Sequence, residues 1–212
     1  MAFVSNPLTL TLVGITVATS LIAFSRRDIF DRWKFNPYMV KHHRQFWRFF
    51  TYALLHADFI HLFINMMVLW SFGDVVEQVY GVIFGPRWIL MYLLLYIGGV
   101  MLSVMFSFGK HKNHPEYNAV GASGAVSAVV FASILFAPTG KIYLFFIPIG
   151  IPAFIFGVLY LVYSWFAGRR GRSNIGHDAH FWGAIYGMAF TLAAWPKTAL
   201  HFWREISLFF GI

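Results

Sequence analysis

Ser123 stands in the run Gly121-Ala122-Ser123-Gly124, within a long stretch that carries no charge. A serine hydroxyl is a weak nucleophile at neutral pH and becomes an effective one only beside a base that takes its proton. His180, in Ala179-His180-Phe181-Trp182-Gly183, offers an imidazole from a second such stretch. His61 and Asn65 are four residues apart, so on a helix they share one face and present two side-chain donors together. The backbone N–H of Ser123, in the first turn of a helix, would be a further donor. A nucleophile, a base and donors for an oxyanion are the parts of an acyl-transfer site. The run is not the G-x-S-x-G elbow of soluble hydrolases, because the second glycine follows the serine directly.

Each of these residues also has a plainer reading. Ser123 alone is a small residue suited to a helix contact. His61 and Asn65 alone are hydrogen-bonding bridges between helices, and His180 alone is a histidine at the mouth of a span. The combination favours chemistry. His180 is the intramembrane imidazole not paired at helical spacing with Asn65. Gly121 and Gly124 on one side, and Gly183 and Gly187 on the other, supply small faces that let two helices approach until Ser123 and His180 meet. No carboxylate is placed as a third member. Asp178 is expected to cap the last span, so a Ser–His dyad is the simpler arrangement. Aromatic packing from the second or sixth span is expected to support the His180 ring. Ser127 reads as packing, and His56, off the His61–Asn65 face, as lying nearer the surface. His42, His43, His111, His114 and His201 fall in loops or the tail and receive no chemical role.

The elements that must position these groups are membrane helices. Of 212 residues, 59% are hydrophobic and 11% charged, less than half the charge of an ordinary soluble domain. Uncharged stretches at about 6–24, 56–73, 88–108, 121–137, 152–167 and 179–195 are each near the ~20 residues that cross a bilayer, the fourth and fifth being short. The first is read as a retained helix, since no basic residue precedes it and no clear cleavage site follows. Residues 25–55 mix charge with aromatics and read as an interfacial element partly in the headgroup layer. For 142–151 two routes are open: an extension of the fifth span, or an interfacial bend, for which Pro148 argues. Pro152 is expected in the first turn of the fifth helix, and residues 197–212 as a short surface helix. The expected fold is an all-α polytopic bundle of six transmembrane helices with a partly embedded first loop, one domain over residues 1–212. The absence of cysteine excludes disulfides and thiolate chemistry. The net charge of +8 lies in short loops beside lipid headgroups, so no nucleic-acid partner is expected.

With these residues assembled, the sequence resembles a rhomboid intramembrane protease, from about residue 47 to 187. The resemblance is carried by Trp47-Arg48, His56-x4-His61-x3-Asn65, Gly73 and Glu77, Gly121-Ala-Ser123-Gly124, and Ala179-His180-x2-Gly183. It implies a six-helix core with Ser123 as nucleophile at the start of a short fourth helix and His180 as base on the sixth. His61 and Asn65 would hold the oxyanion with the Ser123 N–H. It also implies single-span transmembrane proteins as substrates, cut near a membrane face, with no metal or cofactor, and a multi-pass protein of the bacterial inner membrane. Ser127 is a departure, because some rhomboids carry there a tyrosine that stacks on the catalytic histidine.

Charge bias points against the orientation that the resemblance implies. Seven Lys/Arg lie in the first loop, two in the third and three in the fifth, against Arg87, Lys141, Lys197 and Arg204 on the other side. The positive-inside rule would place the basic loops in the cytoplasm, whereas the resemblance places them and the mouth of the site outside. The resemblance is followed, because a folded element lying in the interface is not a plain loop. Two other functions compete. One is a silent relative that binds membrane clients. The other is a histidine-based metal enzyme or transporter using His56, His61, His177 and His180, against which stands the absence of an HExxH motif.

Overall fold

A computed structural model describes residues 7–144, 147–170 and 176–212. Residue 6 of the first expected span, residues 145–146 of the 142–151 stretch and residues 171–175 of the loop before the last span lie outside the described residues. The described chain is predominantly helical. It runs α1 (Pro7–Ser25), α2 (Arg27–Trp33), α3 (Pro37–His43), α4 (Arg48–Thr51), α5 (Phe59–Phe84), α6 (Trp88–His111), α7 (Ser123–Phe136), β1 (Lys141–Leu144), β2 (Ile147–Pro152), α8 (Ala153–Arg170), α9 (His177–Ala194) and α10 (Lys197–Phe210). Among the described residues two stretches are long and apolar enough to cross a membrane, Pro7–Ser25 and Phe59–His111. The second is broken into α5 and α6 by a tight turn at Gly85–Arg87, where Gly85 takes φ +53° and Pro86 follows.

Each expected span lies on one of α1, α5, α6, α7, α8 and α9, with shifted ends. α5 begins three residues late because the Asp58 carboxylate accepts the His61 N–H at 2.7 Å and so caps the helix at Phe59. It runs on through Asp74 and Glu77, whose charges read in sequence as an end. Glu77 is buried, but its carboxylate has partners: it accepts the N–H of Leu8 at 3.1 Å, the N–H of Thr9 at 2.9 Å and the Thr9 hydroxyl at 2.7 Å. A carboxylate on one helix thus satisfies the orphan amides at the start of another, and its charge suits the positive end of that helix. Thr9 and the Tyr92 hydroxyl fill the place that a side chain at Gly73 would need.

The interfacial segment is folded. Arg48 is 5% exposed and donates to the carbonyls of Asp31 at 3.0 Å and Lys34 at 2.6 Å and to Gln45 Oε1 at 2.6 Å. One guanidinium, with donors in a rigid fork, gathers the chain from α2 to α4. The ammonium of Lys34, 2.8 Å away, holds the Asp31 carboxyl below its ordinary pKa.

α7 is the centre of the bundle. Every residue from Gly124 to Leu135 is buried, against α5, α6 and α9. The contact with α9 is backbone on backbone: a methyl at Gly183 would overlap the Gly124 carbonyl, and one at Gly187 would overlap that of Ala128. Small residues at i and i+4 on both helices permit this approach, and dispersion between them replaces a water-driven core. On its other side Gly124 meets the Ser103 side chain of α6.

Two expectations, for Pro152 and Asp178, are corrected here. Of the two routes open for 142–151, the described residues follow the bend and not an extension of the fifth helix. Lys141–Leu144 and Ile147–Pro152 are antiparallel strands pairing Lys141 with Pro152 and Ile142 with Ile151, an exception to the all-α expectation. Isoleucines with Pro148 and Gly150 suit a short exposed strand better than a helix. Pro152 therefore ends β2 and precedes the first residue of α8. Asp178 does not cap the last span. Gly176 occupies the cap position, and Asp178 sits in the first turn with its carboxylate 3.7 Å from Lys110.

Candidate active site

Ser123 is the first residue of α7 and is half-buried. The loop before it is tied to the interfacial segment by backbone bonds. Phe35 and Ala119 exchange two bonds of 2.9 Å, and Gly121 N–H donates to the Tyr52 carbonyl at 3.0 Å. The Asn36 side chain adds bonds to the Pro115 carbonyl at 2.9 Å and to Asn118 Oδ1 at 3.1 Å. Gly121 was expected on the helix face. It lies instead in the loop with φ +117°, a conformation that glycine alone adopts freely. A β-carbon there would also lie 2.7 Å from Cε1 and 3.0 Å from Nε2 of His61. Ala128, and not Gly121, is the second small residue of the α7 face.

His61 Nδ1 faces the Ala57 N–H across a long contact of 3.5 Å, which makes Nδ1 the acceptor and leaves the proton on Nε2, the nitrogen beside Gly121. Asn65 is buried one turn further along and donates one amide N–H to the His61 carbonyl at 3.0 Å. Its second N–H is not used by that bond. Among the described residues neither side chain bonds to another helix, so the bridging reading finds no support.

His56 was expected nearer the surface, yet it is fully buried. It precedes α5, and Ser20 of α1 draws it inward. The Ser20 hydroxyl donates to the Leu54 carbonyl at 2.8 Å and accepts from His56 Nδ1 at 3.0 Å. The His56 ring then stands edge-on to His61, with centroids 4.9 Å apart. His56 thus supports the His61 ring from the side.

His180 is the fourth residue of α9, on the turn that abuts the start of α7. A β-carbon at Gly124, next to Ser123, would lie 3.3 Å from the carbonyl of Ala179, next to His180. The structure therefore brings the two chain segments together. Among the described residues no hydrogen bond joins the Ser123 hydroxyl to the His180 ring, and no carboxylate bonds that ring.

Tyr160 of α8, which the sequence does not single out, supports His180. Its ring stacks on the imidazole with centroids 6.2 Å apart and planes 22° apart. Its hydroxyl lies 2.6 Å from Ser127 Oγ, which in turn donates to the Ser123 carbonyl at 2.8 Å. Ser127 therefore accepts from Tyr160. The ring support was expected from the second or sixth span and comes instead from the fifth. The available signal was a small residue one turn after Ser123, leaving room for an aromatic, but nothing in the sequence chooses among those of α8. His177 was named in sequence only as a metal ligand. It is buried, edge-on to His180 at 6.0 Å and to Tyr163 at 5.4 Å. Among the described residues no three His, Asp or Glu side chains converge as metal ligands would.

Comparison with known proteins agrees with this architecture. A model of the Rhomboid domain matches residues 43–197. The chain is 31% identical over 174 residues to Rhomboid protease GluP of Bacillus subtilis (strain 168), covering 82% of this chain and 29% of that protein. It is 29% identical over 163 residues to RHOMBOID-like protein 12, mitochondrial, of Arabidopsis thaliana, covering 69% and 45%. It is 28% identical over 185 residues to Rhomboid protease GlpG of Yersinia pseudotuberculosis serotype I (strain IP32953), covering 87% and 61%. The chain spans less than half the length of the first curated relatives it matches.

Proposed function

Because the chain belongs to the rhomboid family, a membrane-embedded one, we propose that it is an intramembrane serine endopeptidase that cuts single-span transmembrane proteins near a membrane face. In this reading α1, α5, α6, α7, α8 and α9 are six crossings of a bacterial inner membrane, within one protease domain. α7, with 14 residues, is about 21 Å long against ~30 Å of hydrocarbon. Its Ser123 end then lies below one face, at the floor of a recess that water enters.

The carrying observation is the abutment of α7 and α9 at Gly124, Ala179 and Gly183. It sets the Ser123 turn opposite the His180 turn. A substrate strand presents its carbonyl carbon to Ser123 Oγ, and His180 takes the hydroxyl proton as the C–O bond forms. The oxyanion accepts from the Ser123 N–H, from His61 Nε2 and from the free N–H of Asn65. His180 returns the proton to the leaving amine. Water, deprotonated by His180, then releases the acyl group. Among the described residues no carboxylate bonds the base, and its orientation comes from the Tyr160 ring. No metal or cofactor takes part.

One observation favours a second reading, a silent relative that binds membrane clients: the hydroxyl and the imidazole are not hydrogen-bonded. In uncomplexed enzymes such bonds are often long and tighten when substrate binds. Purified wild type and Ser123→Ala are incubated with a fluorophosphonate probe and with a panel of single-span model proteins. The protease reading expects labelling and cleavage by wild type alone. Equal turnover by Ser123→Ala, or no labelling of folded wild type, ends it.

A further inference from the structure

At the far end of α7 from Ser123, about 20 Å along its axis, a cavity of about 380 Å³ opens between α5, α7 and α10. That is within the ~300–1,000 Å³ of small-molecule sites. Ile83, Phe136 and Trp195 form its apolar part, and Lys197, Thr198 and His201 its polar part. Thr198 is 2% exposed and its hydroxyl has no partner among the described residues. A buried hydroxyl without a bond is costly, and Thr198 is one of the residues lining the cavity, so a ligand seated there with an acceptor within reach of that hydroxyl would relieve the cost. The Lys197 ammonium is held 5.5 Å from the centre of the Trp195 ring. His201 Nε2 donates to the Phe136 carbonyl at 2.8 Å and so covers a carbonyl at the negative end of α7 that would repel an anion.

The surroundings favour a lipid over a soluble anion. α10 exposes Leu200, Trp203 and Phe210, spaced to share one face of the helix. Its far end packs Phe209 and Phe210 on Phe154 at the start of α8. The helix thus crosses the end of the bundle with an apolar face turned outward, as an in-plane interfacial helix does. A cavity that joins an apolar groove to a cation and a hydroxyl at that level matches an acyl chain and a phosphate.

We propose that this cavity is a binding site for one anionic phospholipid. Its phosphate is held by Lys197 and the Thr198 hydroxyl, and its first acyl segment lies against Ile83, Phe136 and Trp195. The site is separate from Ser123 and His180 and stands whether or not the chain is a protease.

Native mass spectrometry of the full chain in detergent tests this, with dioleoylphosphatidylglycerol, dioleoylphosphatidylcholine and inorganic phosphate as probes. One phosphatidylglycerol is expected to bind at least about tenfold tighter than phosphatidylcholine. Lys197→Gln and Thr198→Val should erase that preference, whereas Thr198→Ser should keep it. Ile83→Trp, which fills the groove, should lower retention of both lipids. Thermal unfolding of each variant checks that it is folded. Equal retention of the two lipids, retention unchanged by all the variants, or full competition by inorganic phosphate overturns the proposal.

Discussion

Tyr160 on α8 stacks its ring on His180 of α9 while its hydroxyl reaches Ser127 of α7. One residue thus links three helices around the imidazole. Tyr160→Phe keeps the ring and loses the bond, and is expected to lower cleavage by less than about tenfold. Tyr160→Ala frees the imidazole to turn, and is expected to cost about 10² in kcat with little change in KM. Cleavage kinetics across pH in proteoliposomes check both. A Tyr160→Ala protein with the wild-type kcat and pH profile would remove the positioning role.

Ser127→Ala tests the same bridge from its other end. It leaves the part-buried Tyr160 hydroxyl without its acceptor, at a cost of about 1 kcal/mol. Thermal unfolding should show the loss, and Ser127→Thr, which keeps an oxygen, should show less of it.

Gly183→Ala should be severe for so small a change, because its methyl meets the Gly124 backbone and no flexible side chain can yield. Overpacking costs about 1–3 kcal/mol, and the separation of α7 from α9 should abolish cleavage. Gly14→Ala on α1 is the control: nothing lies within 4 Å of that position, so no stability is lost. Equal melting temperatures for the two variants would contradict the close approach.

Arg48→Lys keeps the charge and loses the fork. Lysine's single ammonium does not reach the carbonyls of Asp31 and Lys34 and the Gln45 amide in one geometry. A loss of about 1.5–3 kcal/mol is expected, with faster proteolysis within residues 25–55 than elsewhere. Uniform proteolysis along the chain would count against it.

Glu77→Leu should release the start of α1. The amides of Leu8 and Thr9 lose their acceptor, and hydrogen exchange at those two positions should rise well before the bundle melts. Unchanged exchange there would show that α1 is held by packing alone.

The meeting of α7 and α9 was legible because Gly183 and Gly187, four apart in an apolar span, leave a groove that only a backbone fills. The polar residues were legible because lipid tolerates few, so Ser123, His180, His61 and Asn65 stood out singly. What was not legible depends on partners distant in sequence. His56 is buried because Ser20 of α1 reaches it, and no local spacing records that bond. α5 extends past Glu77 because α1 supplies the amides that satisfy the charge. Gly121 reads as a small helix residue until its backbone angle and the His61 ring beside it are seen. Tyr160 was hidden among the aromatics of α8, any of which fits an apolar span.

The exchange of bonds between Phe35 and Ala119, with the bond from Gly121 to Tyr52, has a mechanical consequence. The segment beside the recess is stitched to the strap that carries Ser123, so swinging it aside would drag the serine with it. These bonds make it a fixed jaw sooner than a door. In the proposed protease, a client polypeptide would enter on a flank where no such stitching runs to the serine.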